Sequence, residues 1–280
     1  MGANSEVRRK KKQILAAVLG YGLMLVVLLR FLWMLLASFQ PEADLITLPP
    51  FPFRPTTFYL DNYQIALSYK PFTNAILTSI TLALLTTGLV MAAGALGAYA
   101  LARLRFRGRE TIFKDIMVIY MLAELAMLIP LVIVMKILGL LDSVAGLIMA
   151  HTVYILPLMT WFLVGIFWGV PTEIEEAAKI DGRSKMGTLF RVIIPLSISG
   201  FFLITVFCFV LSWNQLMFAK VVAIFRVKML QLAIFEFLSP TTVTYSTLAA
   251  ASMISSLPVV LLAIILQRYI IARIPKGAVK

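Results

Sequence analysis

The 280-residue chain is 61% hydrophobic and only 14% charged, with a mean hydropathy of +0.96 and a formal net charge of +12. A soluble domain carries roughly 25% charged residues, so the composition excludes a water-soluble globular protein and makes a bilayer the principal solvent. A single cysteine, Cys208, and a single histidine, His151, exclude an internal disulfide and a self-contained zinc site.

A membrane-spanning helix needs about 20 mainly apolar residues. Six windows qualify, at roughly 14–37, 73–101, 113–137, 144–169, 197–222 and 247–270. The runs are long and continuous, without the period-two alternation of barrel strands. The expected fold class is therefore an all-α membrane protein with six transmembrane helices in one domain, 1–280. The first window is longer than a signal-peptide core and no cleavage site follows it, so it reads as a retained span. Most Lys and Arg fall in "RRKKK" (8–12), "RLRFRGR" (103–109), the 179–191 stretch and the terminal "QRYIIARIPKGAVK". With six spans all four clusters lie on one side. The positive-inside rule makes that side the cytoplasm, with both termini there. The charge thus reads as a topology signal, and nucleic-acid binding is the weaker reading.

In chain order, span one carries Arg30 near its outer end, where it can snorkel. The segment 38–72 holds Pro41, Pro49, Pro50, Pro52, Pro55 and Pro71. Such density disfavours regular helix and predicts an extended outer cap, with Phe51, Phe53, Phe58, Tyr59 and Tyr63 near the interface. Span two contains Gly88, Ala92, Gly94, Ala95, Gly97 and Ala98, which permit close helix packing. Span three carries Glu124, an ionisable residue that needs a partner or water in the membrane. It faces a translocation cavity or pairs with a cation of another subunit. Lys136 closes this span, and the short link "LGLLDSVAG" (138–146) makes spans three and four neighbours.

His151 in span four suits a hydrogen-bonded packing role. In span five, Trp213, Asn214 and Gln215 combine an aromatic ring with amides that both donate and accept, a pairing suited to sugar hydroxyls or to helix–helix bonding. Cys208 reads as a small buried residue, and Lys220 sits towards the outer end. The stretch 223–246 predicts a short surface helix ending before Pro240. Pro130, Pro157 and Pro258 lie inside spans and are expected to kink or break them.

One dense polar island interrupts the apolar chain: "EEAAKIDGRSKMGTLFRVIIP", residues 175–195. Thr172 and Glu175 have capping-box spacing, and Glu175 and Lys179 are placed for an i,i+4 pair. Gly182 breaks this helix, Ser184 caps a second one, and Pro195 ends the segment before span five. Charges of both signs mixed with apolar residues suit a protein partner better than bare lipid. The island reads as a docking surface.

"EAAKIDG", nine further residues and then a proline-ended "VIIP" resembles the cytoplasmic signature of permease subunits of ATP-binding-cassette importers. Glu176, Ala177, Ala178, Gly182 and Pro195 match its spacing, while Val192 and Ile194 stand where Ile and Leu are usual. "WNQ" (213–215), "LGLLDSVAGLI", the C-terminal run and "SFQPEADLI" further resemble the six-span partner of the maltose-type, carbohydrate-importer permease pair. The resemblance covers nearly the whole chain and implies a type I importer permease fold in a prokaryotic cytoplasmic (inner) membrane. It implies that the 171–195 loop couples to a separate ATPase, with Glu176 as the charge contact, Asp181 and Gly182 at the turn, and Ala177 and Ala178 as the close-packing surface. The implied partners are a second permease, an ATPase dimer that binds ATP and Mg, and an extracytoplasmic solute-binding protein. The implied cargo is a sugar or oligosaccharide, with glycerol phosphate or another polyol conjugate as runner-up. Glu124, Trp213, Asn214 and Gln215 are the candidate pathway residues.

The chain has no Gly-x-x-x-x-Gly-Lys-Ser/Thr phosphate loop, so ATP hydrolysis belongs to another polypeptide, and no cofactor is expected in this one. An ion-coupled secondary transporter with Glu124 as its proton site leaves the polar island unexplained. An intramembrane enzyme lacks any paired catalytic motif.

Overall fold

The computed structural model describes residues 2–47, 58–121, 124–223, 226–239 and 242–271. Pro49, Pro50, Phe51, Pro52, Phe53, Pro55 and Pro240, and the C-terminal residues 272–280, lie outside the described residues. In chain order the helices are α1 (Gly2–Ser38), α2 (Glu42–Thr47), α3 (Asp61–Ser68), α4 (Lys70–Arg103), α5 (Arg109–Met121), α6 (Glu124–Ile137) and α7 (Val144–Trp168). They continue as α8 (Thr172–Ile180), α9 (Lys185–Leu196, including a π turn), α10 (Ile198–Trp213), α11 (Met217–Val222), α12 (Leu230–Ala233) and α13 (Tyr245–Ile271). The only described strands are Leu238–Ser239 and Thr242–Val243, a two-residue antiparallel ladder.

Four helices are long and apolar enough to cross a membrane: α4, α7, and the Ala17–Ser38 and Tyr245–Gln267 parts of α1 and α13. Counting each bent pair, α5 with α6 and α9 with α10, as one span brings the number to six. Span five departs from the simple helix expected over 197–222. Its regular part, α10, has 16 residues, about 24 Å at 1.5 Å per residue and short of a ~30 Å hydrocarbon core. Three non-helical residues, Asn214–Leu216, then separate it from α11. At the end of the helix Asn214 places both its backbone N–H, at 3.1 Å, and its side-chain amide, at 2.9 Å, on the Val210 carbonyl. By contrast Pro130, Pro157 and Pro258 sit inside unbroken helices. Of the expected kinks or breaks, no break occurs at these three: neighbouring helices and local adjustment absorb a lost backbone bond in a bundle.

The chain forms two compact units, 1–69 with 234–255 and 70–233 with 256–280. In the second, α4 and α7 make the most extensive contact. Val90, Ala95 and Ala98 of α4 join Met159, Leu163 and Val164 of α7, Leu189 and Ile193 of α9, and Cys208 of α10 in one buried cluster. Small residues allow the approach. A Cβ on Gly94 would lie 3.4 Å from Leu163 Cδ1 and 3.5 Å from Thr160 Oγ1, whereas Gly88 faces open space. The α6–α7 turn is tighter still: a Cβ on Gly146 would fall 2.1 Å from the Leu140 carbonyl oxygen, so only glycine fits.

In the first unit, α2 and α3 show that the segment 38–72 is not wholly extended. Tight bonds explain why. Asn62 is buried and donates to the Ser38 and Gln40 carbonyls at 3.0 and 2.8 Å. Phe39 packs edge-on against Phe58 and tilted against Tyr63. Glu42 then caps a distant helix. Its carboxylate accepts the first backbone N–H groups of α13, from Tyr245 at 2.9 Å and Ser246 at 2.8 Å, and the Ser246 hydroxyl at 2.6 Å. An anion at these orphan donors also complements the positive end of the helix dipole. Replacing Glu42 by Ala is expected to cost about 1–3 kcal/mol, the scale of hydrogen bonds to a charged group. Thermal unfolding of the detergent-solubilised protein checks this. A midpoint equal to wild type excludes the cap as a stabilising contact.

Candidate functional site

The polar island folds as two short helices joined by a fixed turn. Glu173 and Glu175 in the first turn of α8 complement its dipole. The capping box expected from Thr172 does not form. Pro171 occupies the N-cap position and Thr172 is already helical, so its hydroxyl is not placed to cap. Glu175 is used differently. It is buried, with its carboxylate 3.5 Å from Arg103 Nε and 3.2 Å from Lys179 Nζ, and it accepts from the Tyr99 hydroxyl at 3.2 Å. The i,i+4 pair with Lys179 therefore forms as expected. Arg103, the last residue of α4, also donates to the carbonyls of Phe167 (2.6 Å) and Val170, where α7 ends. Three chain segments meet at this guanidinium.

Helix α8 closes in a Schellman motif. Gly182, at φ +76, donates to the Lys179 carbonyl at 3.0 Å, and Arg183 donates to the Ala178 carbonyl at 3.0 Å. The left-handed turn excludes a side chain without strain. Ser184 then caps α9, accepting from Gly187 N at 3.1 Å. In α9 the π turn over Leu189–Ile193 sends Leu189 and Ile193 into the core and leaves Phe190 exposed. The segment runs slightly beyond Pro195, which lies inside α9. The chain turns at Ser197, where α9 meets α10 at 88°.

The opposite surface is open among the described residues. Glu176, Ala177, Asp181 and Gly182 are exposed, as are Ile180 (88%), Met186 and Phe190. Ala178 is buried against the chain, so the two alanines face different ways.

A second polar cluster lies among the spans. Glu124, the first residue of α6, takes a hydrogen bond from Gln215 in the α10–α11 break, while its Oε1 is shielded and has no partner among the described residues. Tyr154 of α7 is within electrostatic reach of Glu124 and packs in tilted contact with the rings of Tyr120 and Phe218. One turn away, His151 Nδ1 meets Ser212 Oγ at 3.0 Å in a fully buried pair. Of the residues singled out by sequence, the fold brings Glu124 and Gln215 together. Trp213 and Asn214 are engaged elsewhere. Trp213 is 1% exposed and stacked on Phe209, and its carbonyl accepts from Gln231. Asn214 is exposed and bonded to its own helix.

Residues 93–276 match the family described as binding-protein-dependent transport system inner membrane component. The chain belongs to this family. It is a multi-pass inner-membrane permease of the ATP-binding-cassette importers. Its relatives include the inner membrane ABC transporter permease protein YcjP of Escherichia coli, 31% identical over 92% of each chain. The sulfoquinovosyl glycerol transport system permease protein SmoH of Agrobacterium fabrum is 32% identical over 89% of this chain and 87% of that one. The trehalose/maltose transport system permease protein MalG of Thermococcus litoralis is 29% identical over 98% of each. Its fold is shared by a chain in the crystal structure of a bacterial ABC transporter involved in the import of the acidic polysaccharide alginate. The TM-score is 0.79 at 23% identity, covering 93% of this chain and 96% of that one.

Arg103, Tyr99 and Glu175 as one anchor were not visible in the permease sequence. Arg103 read as one more topology charge, and nothing local links it to Glu175 across 72 positions. Removing either partner leaves a buried charge unpaired. Glu175→Ala and Arg103→Ala are each expected to destabilise the permease by about 3 kcal/mol or more. Lys179→Ala, at a position 53% exposed, is expected to cost only about 0.5 kcal/mol. Unfolding of the three variants in detergent tests the contrast, and three equal losses exclude a special role for the buried pair.

Proposed function

We propose that this permease forms half of a translocation pathway for a sugar or oligosaccharide, with the 171–197 segment seated in a cleft of a separate ATPase. The observation that carries the reading is the division of the segment into two faces. One is locked to α4 and α7 through Glu175 and Ala178. The other presents Glu176, Ala177, Asp181 and Gly182 beside exposed Ile180 and Met186. A rigid element with one bonded and one open face transmits a push. Exposed apolar side chains rimmed by charge are the composition of an interface. In this reading the segment and both termini are cytoplasmic. A second permease completes the pathway, an extracytoplasmic solute-binding protein delivers cargo, and the ATPase dimer holds ATP and Mg.

Carbohydrate cargo rests on the relatives named for trehalose/maltose and sulfoquinovosyl glycerol. Glu124 and Gln215 are the pathway residues of choice. A shielded carboxylate oxygen beside an amide, at a break in span five, offers hydrogen bonds to a passing hydroxyl.

The test is reconstitution with the partner permease and ATPase. Glu176→Lys keeps every intrachain contact and is expected to abolish ATPase co-purification or substrate-stimulated hydrolysis. Gly182→Pro is expected to do the same by destroying the turn. Hydrolysis unchanged by both variants excludes the segment as the coupling element. Glu124→Gln is expected to leave ATPase binding intact while lowering the transport rate severalfold. Unchanged transport removes Glu124 from the pathway.

A further inference from the structure

At the end of the second unit opposite the 171–197 segment, the first turns of α4 and the start of α7 enclose a cavity of about 280 Å³ with residues 226–228. Its lining includes Asn74, Thr78, Val144, Arg226, Val227 and Lys228, and no carboxylate is among the described lining residues. The two cations are held in place rather than trailing from a loose loop. Asp142, in a left-handed conformation at φ 54, accepts the backbone N–H of Arg226 at 2.9 and 2.8 Å and of Val227 at 3.3 Å. Its own N–H donates to the Val222 carbonyl at 2.7 Å. On the far side Leu230 N donates to buried Ser79 Oγ at 2.8 Å, and Met229 and Leu230 are buried. Between these anchors the side chains alternate, with Arg226 and Lys228 exposed on one side of the extended segment.

We infer that this cavity is an oxyanion site, taking the carboxylate, sulfonate or phosphate group of an acidic solute or of a lipid headgroup. The guanidinium fork matches a planar or tetrahedral oxyanion two bonds at a time, and the ammonium adds a point charge. Asn74 supplies a neutral amide donor. Thr78 donates to the Asn74 carbonyl at 2.9 Å, so its hydroxyl shapes the wall and holds α4 rather than donating into the site. Asp142 is the neighbouring acid, but its oxygens accept the backbone amides that fix the two cations. Placement adds a further reason. In the orientation proposed above this end faces outward, where Lys and Arg are disfavoured, so a paired arrangement there calls for a role other than topology.

The test uses the intact complex in dodecyl maltoside, free of added phospholipid. Acetylation of Lys228 by N-acetoxysuccinimide is followed by peptide mass spectrometry in sodium sulfate and in sodium chloride of equal ionic strength. Exposed Lys114, near the start of α5 and away from both the cavity and the 171–197 segment, serves as the internal control. Sulfate is expected to slow labelling of Lys228 severalfold, to leave Lys114 unchanged, and to lose its effect in Arg226→Gln. Equal rates in the two salts, or equal protection in Arg226→Gln, overturn the site. Galacturonate and phosphatidylglycerol are then added separately. Protection by galacturonate assigns the site to an acidic solute, and protection by phosphatidylglycerol alone assigns it to lipid. Protection by sulfate and by neither of these marks an adventitious ion only and overturns the proposal. The readout concerns the cavity itself, so its failure leaves the ATPase-coupling experiment untouched, and the converse also holds.

Discussion

The contact on which the working end of the permease depends is the Arg103–Glu175 pair. Both side chains are 6% exposed, a placement that is unfavourable for either charge alone and is offset here by the opposite charge and by hydrogen bonds from Tyr99 and to two backbone carbonyls. That geometry explains the choice of arginine. A single guanidinium reaches the carboxylate of α8 and two backbone carbonyls at the end of α7 while belonging to α4. Lysine offers one compact charge without that fork. The 3.5 Å separation at Nε is an ion-pair contact rather than an aligned hydrogen bond. Directional bonding comes from the carbonyls and from Tyr99, and attraction from the charges. Displacement of α8 therefore acts on α4 and α7 together, and these two helices share the most extensive packing in the unit.

Rigidity on either side of that contact comes from backbone chemistry. The Schellman turn at Gly182 and the serine cap at Ser184 use the orphan groups of both short helices, so the angle between them is fixed without a hydrophobic core of its own. The opposite device appears in span five. There the helix stops at Asn214, whose backbone and side-chain amides both bond to the Val210 carbonyl, and Gln215 lies outside regular structure and reaches Glu124. A broken span in lipid needs its freed polar groups satisfied by protein or by a wet cavity. The Glu124–Gln215 bond is one such satisfaction, and the shielded Oε1 is the part left open.

What could be read from sequence followed the range of the interactions concerned. Apolar runs long enough to cross a bilayer located the spans, because that signal is local and large. The Gly182 turn, the Ser184 cap and the Glu175–Lys179 pair all act within a few residues and were equally visible. Thr172 misled because the capping-box spacing says nothing about the backbone at Pro171, which takes the cap position itself. Sequence left open whether Pro130, Pro157 and Pro258 break their helices, because the cost of a proline in a helix depends on neighbours that sequence does not display. Arg103 with Glu175, and Glu42 with the start of α13, join positions far apart in the chain, and no local pattern announces them. The island's charges were legible as a set, and their division between inside and outside was not.

That division is the mechanically informative one. Glu175 and Glu176 are consecutive acids on one helix, and 100° of rotation separates a buried anchor from an exposed contact. Ala177 and Ala178 repeat the division, the first exposed and the second packed inward. A load-transmitting helix needs both faces at the same level along its axis. In the coupling role proposed above, the grip and the anchor share one turn, so a force applied at one reaches the other through the cross-section of the helix, with little lever arm to bend it. The compactness of the Glu-Glu-Ala-Ala run is thus a consequence of joining two surfaces through a single helical turn.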